Sequence, residues 1–321
     1  MKSLVIGTRG SLLALWQAKH IQSRLKNELH IDSALEIIKT KGDKILDTPL
    51  SKIGGKGLFT KELEEALLEK RIDIAVHSLK DVPVSFPSGL ILCAITKRAH
   101  WQDCLLSVKY ENLQSLPFSA KVGTTSLRRS LQLKLLRSDL DTLSLRGNVQ
   151  TRLQKLKDGE FDAIVLAKAA LDRLEIDIQA EGLKVEVLDS LIPAMGQGAL
   201  GIECAKDCEF LESLRKLEDT QTSICCLAER EFIAMLDGGC QVPIGVFASI
   251  TNNTLNMQAI IGLPNGSASM RNSVESTLDC TLSIAEQKKS AKSLAQSLAK
   301  QMIANGAKEL LARAYEMAQN T

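Results

Sequence analysis

Aromatic residues make up only 3% of the 321-residue chain, with two Trp and two Tyr. That scarcity argues against a single-strand nucleic-acid binder, whose bases would need aromatic platforms to stack on. Charge of one sign is also lacking: 40 Lys plus Arg against 38 Asp plus Glu leaves +2, so no global field marks a polyanionic partner. No run approaches the roughly 20 apolar residues of a membrane helix. The apolar start Leu4 to Ile6 is broken by Gly7 and Arg9, too early for the core of an export signal. A cytosolic protein with no membrane or nucleic-acid partner is expected. Histidine is confined to positions 20, 30, 77 and 100, and the eight Cys, including Cys204, Cys208, Cys225 and Cys226, lack paired zinc-ligand spacing. No metal site is expected, and the thiols read as free in a reducing compartment.

What is present is the balance of a globular protein, 45% hydrophobic and 24% charged, long enough for two or three domains. The stretch IDIAVHSLKDVP at 72–83 turns from a buried strand into a polar loop. Ile72, Ile74 and Val76 alternate with Asp73 and Ala75. His77, Ser78, Lys80 and Asp81 then gather where the strand ends, the edge at which open α/β sheets bind ligands. Asp81 is a candidate for proton handling or for holding a cationic intermediate.

Three strand-to-helix junctions carry small polar residues at a helix start with guanidinium groups beside it: Arg9 to Ser11, Thr124 and Ser126 to Arg128 and Arg129, and Arg146 and Gly147 to Arg152. Ser11 reads as an N-cap, and such starts attract anions through unpaired N–H groups and the helix dipole. Residues 121–155 hold eight Lys or Arg against two Asp, a local cationic wall in a nearly neutral chain. Converging on one cleft, these junctions would bind several carboxylates or phosphates. The glycines at 54, 55 and 57 sit in a long connector carrying Lys52 and Lys56, which reads as a mobile lid. It does not fit a nucleotide-binding P-loop, since no Ser or Thr follows Lys56. IPAMGQG at 192–198 reads as a hinge, after which Ala199 to Cys204 forms a strand returning to the first sheet. From these residues alone a dicarboxylate-binding receptor of the periplasmic type remains open.

Cys240 follows Gly238 and Gly239 and precedes Pro243, an arrangement that leaves its thiol in a tight loop and available for covalent chemistry. The segments GDKILDTPLSKIGGKGLF, HSLKDVP, GTTSLRR, LRGNVQTRL, MGQGALGIEC and GGCQVPIG occur here in this order. Together they resemble the porphobilinogen deaminase family, also called hydroxymethylbilane synthases, from about residue 4 to 245 and more weakly to the end. The resemblance implies head-to-tail joining of four porphobilinogen molecules with loss of ammonia, and release of the linear tetrapyrrole hydroxymethylbilane. It implies a dipyrromethane cofactor held through a thioether to Cys240, and Asp81 as the catalytic carboxylate facing pyrrolic cations. The same resemblance assigns the cofactor carboxylates to Ser78, Lys80, Thr124, Ser126, Arg128, Arg129, Arg146 and Gly147. Those of the substrate fall to Arg9, Ser11, Lys52, Lys56, Arg146, Arg152, Arg173 and Gln197.

The expected fold is α/β with three domains. Two lobes with mixed sheets, resembling type II periplasmic binding proteins, comprise 1–96 with 198–216 and 102–192; a small C-terminal α+β domain, 219–321, presents Cys240 to the cleft. A monomer is expected. Leu12 stands where the family usually has Pro, and Lys168 and Ala170 also depart from its pattern, which bears on the approach to Arg173.

Overall fold

The computed structural model describes residues 3–44, 57–237 and 242–320. It is a mixed α/β structure with two five-stranded sheets and a three-stranded one. The first sheet contains β1 (Leu4–Thr8), β2 (Ser33–Ile37), β3 (Ile74–Ser78), β4 (Leu90–Ile95) and, from far along the chain, β10 (Leu200–Ala205), in the order β2-β1-β3-β10-β4. The second contains β5 (Asp103–Ser107), β6 (Lys121–Gly123), β7 (Asp141–Leu143), β8 (Ala163–Ala167) and β9 (Lys184–Leu188), in the order β7-β6-β8-β5-β9. Parallel strands run through each, and one inserted strand, β10 or β5, lies antiparallel to its neighbours. Both inserted strands adjoin the chain crossings between the sheets, so the crossings are fixed by strand pairing as well as by loop contacts.

Hydrophobic patterning explains the layers. The Leu12–Leu29 helix buries Ala18, Ile21 and Leu25 against Leu4, Ile6 and Val76 on one face of the first sheet. The Lys61–Leu68 helix packs Leu63, Ala66 and Leu67 against Ile72 and Ala75 on the other. Helix starts are capped as their sequences indicate: Ser11, Ser126, Asn148, Asp219 and Ser283 each accept a hydrogen bond from the first turn. The parallel strands end at one edge, where Arg9, Asp81, Thr124 and Arg146 follow them. The three-stranded sheet, β11 (Ile244–Thr251), β12 (Thr254–Gly262) and β13 (Ser269–Thr277), is antiparallel. Phe232, Val246, Met257 and Leu298 join its helices, Thr220–Met235 and Ile284–Ala304, in one core.

Three strands differ from the sequence, in which Leu35 to Thr40 reads as the second strand. The second strand, expected at 35–40, spans Ser33–Ile37, because Thr40 N–H bonds the Asp43 carboxylate and starts the Lys41–Lys44 turn. β9 and β13 have no counterpart in the sequence reading. Both are sheet edges with exposed alternate residues: β9 alternates but turns Val185 and Val187 outward, and β13 carries little apolar pattern.

Candidate active site

Asp81 ends a single 3-10 turn, Leu79–Asp81, directly beyond β3. Leu79 is fully buried, and its N–H donates to Ala199 O at 3.0 Å. Gly196, at φ +66°, lies against it so closely that a Cβ would come within 2.7 Å of Leu79 Cγ. The hinge glycine thus seats the turn that carries the carboxylate.

Arg9, beyond β1, and Asp81, beyond β3, line one cleft together with Gln17, Phe59, Thr60 and Ser78. Arg9 Nε donates to the two Asp43 carboxylate oxygens at 3.1 and 3.2 Å, and its guanidinium carbon lies 4.3 Å from the Phe59 ring centroid. Burial acts to raise Asp43, yet the Arg9 ion pair holds its carboxyl below the ordinary value. Gln17 Nε2 donates to Ser78 Oγ at 2.8 Å. Ser11 accepts from Ala14 N–H at 3.3 Å and fixes the start of the Leu12–Leu29 helix.

Two cations of the wall are interior. Arg128 and Arg129 are 4% and 6% exposed, and both pair with the fully shielded carboxylate of Asp103, at 2.8 and 2.7 Å. Arg129 Nη1 also donates to Val165 O, and Arg128 Nη1 to Ile192 O, each at 2.8 Å. Burial alone would raise Asp103, but the two guanidiniums hold it far below the usual carboxylate range. Gln197 is 1% exposed; its amide donates to the same carboxylate at 2.9 Å and to Trp101 O at 2.7 Å. Thr124 Oγ1 accepts from Ser126 N–H at 3.1 Å, and Ser126 caps the helix that carries both arginines.

In front of this pair the cations crowd. Burial pushes Lys80 down to about 8, against the attraction of Asp81, with Arg129 and Arg128 repelling it. Arg152 is pushed down to about 10 by burial and by the charges of Arg129 and Arg146, with Asp81 opposing. Burial also lowers Arg146. Arg152 Nε donates to Gly147 O at 2.8 Å, across a backbone held at φ +111°. Arg173 donates to Gly198 O at 2.7 Å and lies 5.8 Å over the Trp16 ring, bridging hinge and first lobe. Burial brings it to about 10, Asp172 opposing. The neighbouring Lys168 pairs with Asp172, as does His100 at 2.7 Å.

The chemistry of this arrangement is that of a polyanion site with one acid in it. Desolvated like charges repel, and carboxylates from a bound molecule would relieve the strain. The donor set therefore fits a group bearing several carboxylates. Three expected residues, Lys52, Lys56 and Cys240, lie outside the described residues. Among the described residues no cluster could hold a metal ion, and no helix is long and apolar enough to cross a membrane.

Sequence reasoning missed Asp103, the partner of both arginines. It stands 25 and 26 positions before them in a polar passage that reads as a boundary, and only the pairing of β5 with β8 brings it under the wall. It also missed Glu229, fully buried, which receives the Arg98 guanidinium at 2.9 Å and the N–H groups of Gly196 and Ala248 at 2.7 and 2.9 Å. Its position in an amphipathic helix gave no sign of this.

Two family models match the chain. One describes the porphobilinogen deaminase dipyromethane cofactor binding domain, over residues 4–213, and the other the C-terminal domain of porphobilinogen deaminase, over 223–304. Among curated relatives, porphobilinogen deaminase of Helicobacter hepaticus is 57% identical over 99% of this chain and 97% of its own. That of Helicobacter acinonychis is 61% identical over 83% and 87%, and that of Campylobacter hominis 52% over 99% and 100%.

Proposed function

The chain belongs to the porphobilinogen deaminase family, and on that premise we propose that Asp81 and the cations around it carry the family's reaction here. The enzyme joins four porphobilinogen molecules head to tail, releasing ammonia at each coupling, and yields hydroxymethylbilane. When bound, the dipyrromethane cofactor supplies a free pyrrole carbon on which the chain grows.

Lys80 and Arg146, backed by Arg128 and Arg129, hold the acetate and propionate groups of that cofactor, with Ser78, Thr124, Ser126 and Gly147 shaping the surface, while Arg146 and Arg152 also reach the substrate's carboxylates. The observation that carries this reading is the crowding of desolvated cations about Asp81: Arg152 faces Arg129 and Arg146, and Lys80 faces Arg128 and Arg129. Arg9, Ser11, Arg173 and Gln197, with Lys52 and Lys56, receive or support the incoming substrate's carboxylates. Asp81 sits where pyrrole N–H groups would meet a carboxylate, and it stabilises positive charge on the ring more than the neutral ground state.

Cys240 carries the cofactor through its sulfur. In support, Val246 N–H donates to Pro193 O at 3.0 Å and Gly245 packs on Ile192, so the strand following Cys240 is fastened to the hinge beside the cleft. Three domains follow, 1–96 with 198–216, 102–192 and 219–321, in keeping with the three sheets. We propose that the enzyme acts as a monomer in the cytosol.

Asp81→Asn tests this assignment. Turnover of porphobilinogen should fall by at least about 100-fold, the scale of a lost acid–base or charge-stabilising group, with the fold intact by circular dichroism. Full turnover would remove Asp81 from the chemistry.

A further inference from the structure

Behind the cleft lies a second set of titratable side chains that the reading above leaves unused. His77, the penultimate residue of β3, is 5% exposed, and its Nε2 lies 3.0 Å from Glu203 Oε2 on β10. The register sets Gly201 opposite His77 and Glu203 opposite Ala75, so both side chains project from one face of the sheet. That face is covered by the Lys61–Leu68 helix, whose buried Glu64 accepts from Thr60 Oγ1 at 2.7 Å. Burial raises the Glu64 carboxyl; Glu203 raises it further, while His77 and the Thr60 bond oppose. Glu203 is fully buried, and its Oε1 has no hydrogen-bond partner among the described residues.

The cluster is not sealed, because His77 and Thr60 line the cleft that also holds Arg9, Ser78 and Asp81. The charged groups about His77 are therefore Glu203 from β10, Glu64 from the covering helix, Lys80 and Asp81 beyond its own strand, and Arg9 across the cleft. Burying a carboxylate with one oxygen unpartnered is a poor way to stabilise a fold, since desolvation is only partly offset. A buried histidine–carboxylate pair that opens on a cleft is more typical of chemistry.

Each coupling needs a proton acceptor. The C–N bond of porphobilinogen's aminomethyl group, protonated at neutral pH, breaks and its electron pair leaves with ammonia. A C–C bond forms from the terminal pyrrole's α-carbon to the methylene carbon, and the α C–H bond gives up its proton while its electrons restore the ring. One ammonia and one proton are set free per cycle. Asp81 must stay ionised to hold the ring cation, so a separate group that receives the proton keeps Asp81 charged for the next coupling.

We propose that His77, held by Glu203, takes up the proton released at each coupling, with Glu203 and Glu64 as positioning residues behind it. Nε2 is engaged by Glu203, which leaves Nδ1 to exchange a proton with the cleft. The inference rests on the reaction assigned above.

The experiment uses the full-length, cofactor-carrying enzyme. In His77→Gln, kcat should fall at least about tenfold with KM within about twofold, and the acidic limb of the kcat–pH profile should disappear. Glu203→Gln should shift that limb. A folded His77→Gln enzyme with the kcat and pH profile of the parent overturns the proposal. Should that variant fail to fold, imidazole nitrogen NMR of the parent decides, with His77 assigned by elimination using Gln variants of His20, His30 and His100. Its ring should change protonation state across the pH range in which the enzyme works; a ring fixed in one protonation state overturns the proposal. A parent enzyme making no tetrapyrrole would instead refute the assigned reaction.

Discussion

The guanidinium of Arg230 donates to the backbone oxygen of Val82 at 3.1 Å, one residue beyond Asp81, and to that of Pro83 at 2.5 Å. The helix that precedes the cysteine loop is thereby clasped to the turn that carries Asp81, and the Phe86 ring backs the contact at 5.4 Å. Two carbonyls held by a buried charged donor cannot shift without losing both bonds. Arg230→Ala should therefore cost about 2–3 kcal/mol of stability, on the scale of hydrogen bonds to a charged group. It should also lower kcat more than it raises KM, because the turn is loosened and not the substrate's carboxylate contacts. Urea unfolding and steady-state kinetics check both.

Asp103 pairs with two buried arginines, so removing its charge leaves them facing each other. Asp103→Asn should destabilise the protein by about 3 kcal/mol or more. The pH dependence has a definite sign. The folded-state pKa of Asp103 is depressed, so its contribution is present above the ordinary carboxylate range and is lost as pH falls. Thermal unfolding curves of the parent and variant should differ most at neutral pH and draw together in acid.

Lys80, at about 8, lies below its ordinary 10.5 because of burial. The unfolded chain binds the proton more tightly, so between about pH 8 and 10.5 this group makes folding more favourable as pH rises. Bound carboxylates would reverse the cause. In Cys240→Ser, which lacks the sulfur that carries the cofactor, acylation of Lys80 should show a midpoint near 8; in the loaded enzyme the midpoint should move up. Peptide mapping of pH-dependent labelling gives the comparison, and equal midpoints would separate Lys80 from the cofactor.

Much of this site was legible in the sequence because strand-to-helix junctions announce themselves locally. Ser11 and Ser126 cap the helices their spacing indicates, and Arg9 and Asp81 meet in one cleft because each follows a parallel strand of the same sheet. The depth of Arg128 and Arg129 was not legible. A run of basic residues reads as a solvated surface until Asp103, on another strand, turns two of them inward. Gln197 likewise reads as a hinge residue facing ligand, yet the crossing folds it onto Asp103 and Trp101. Edge strands β9 and β13 escaped detection for different reasons: β9 is five residues long with Val185 and Val187 facing outward, and β13 packs Met270 and Val274 on its core between polar residues.

The most direct test weighs the purified chain. A sulfur-tethered primer beside Asp81 predicts that the intact parent exceeds its sequence mass by two pyrrole units and that Cys240→Ser matches its own sequence mass and makes no tetrapyrrole. A parent at its bare sequence mass that still converts porphobilinogen would contradict the account.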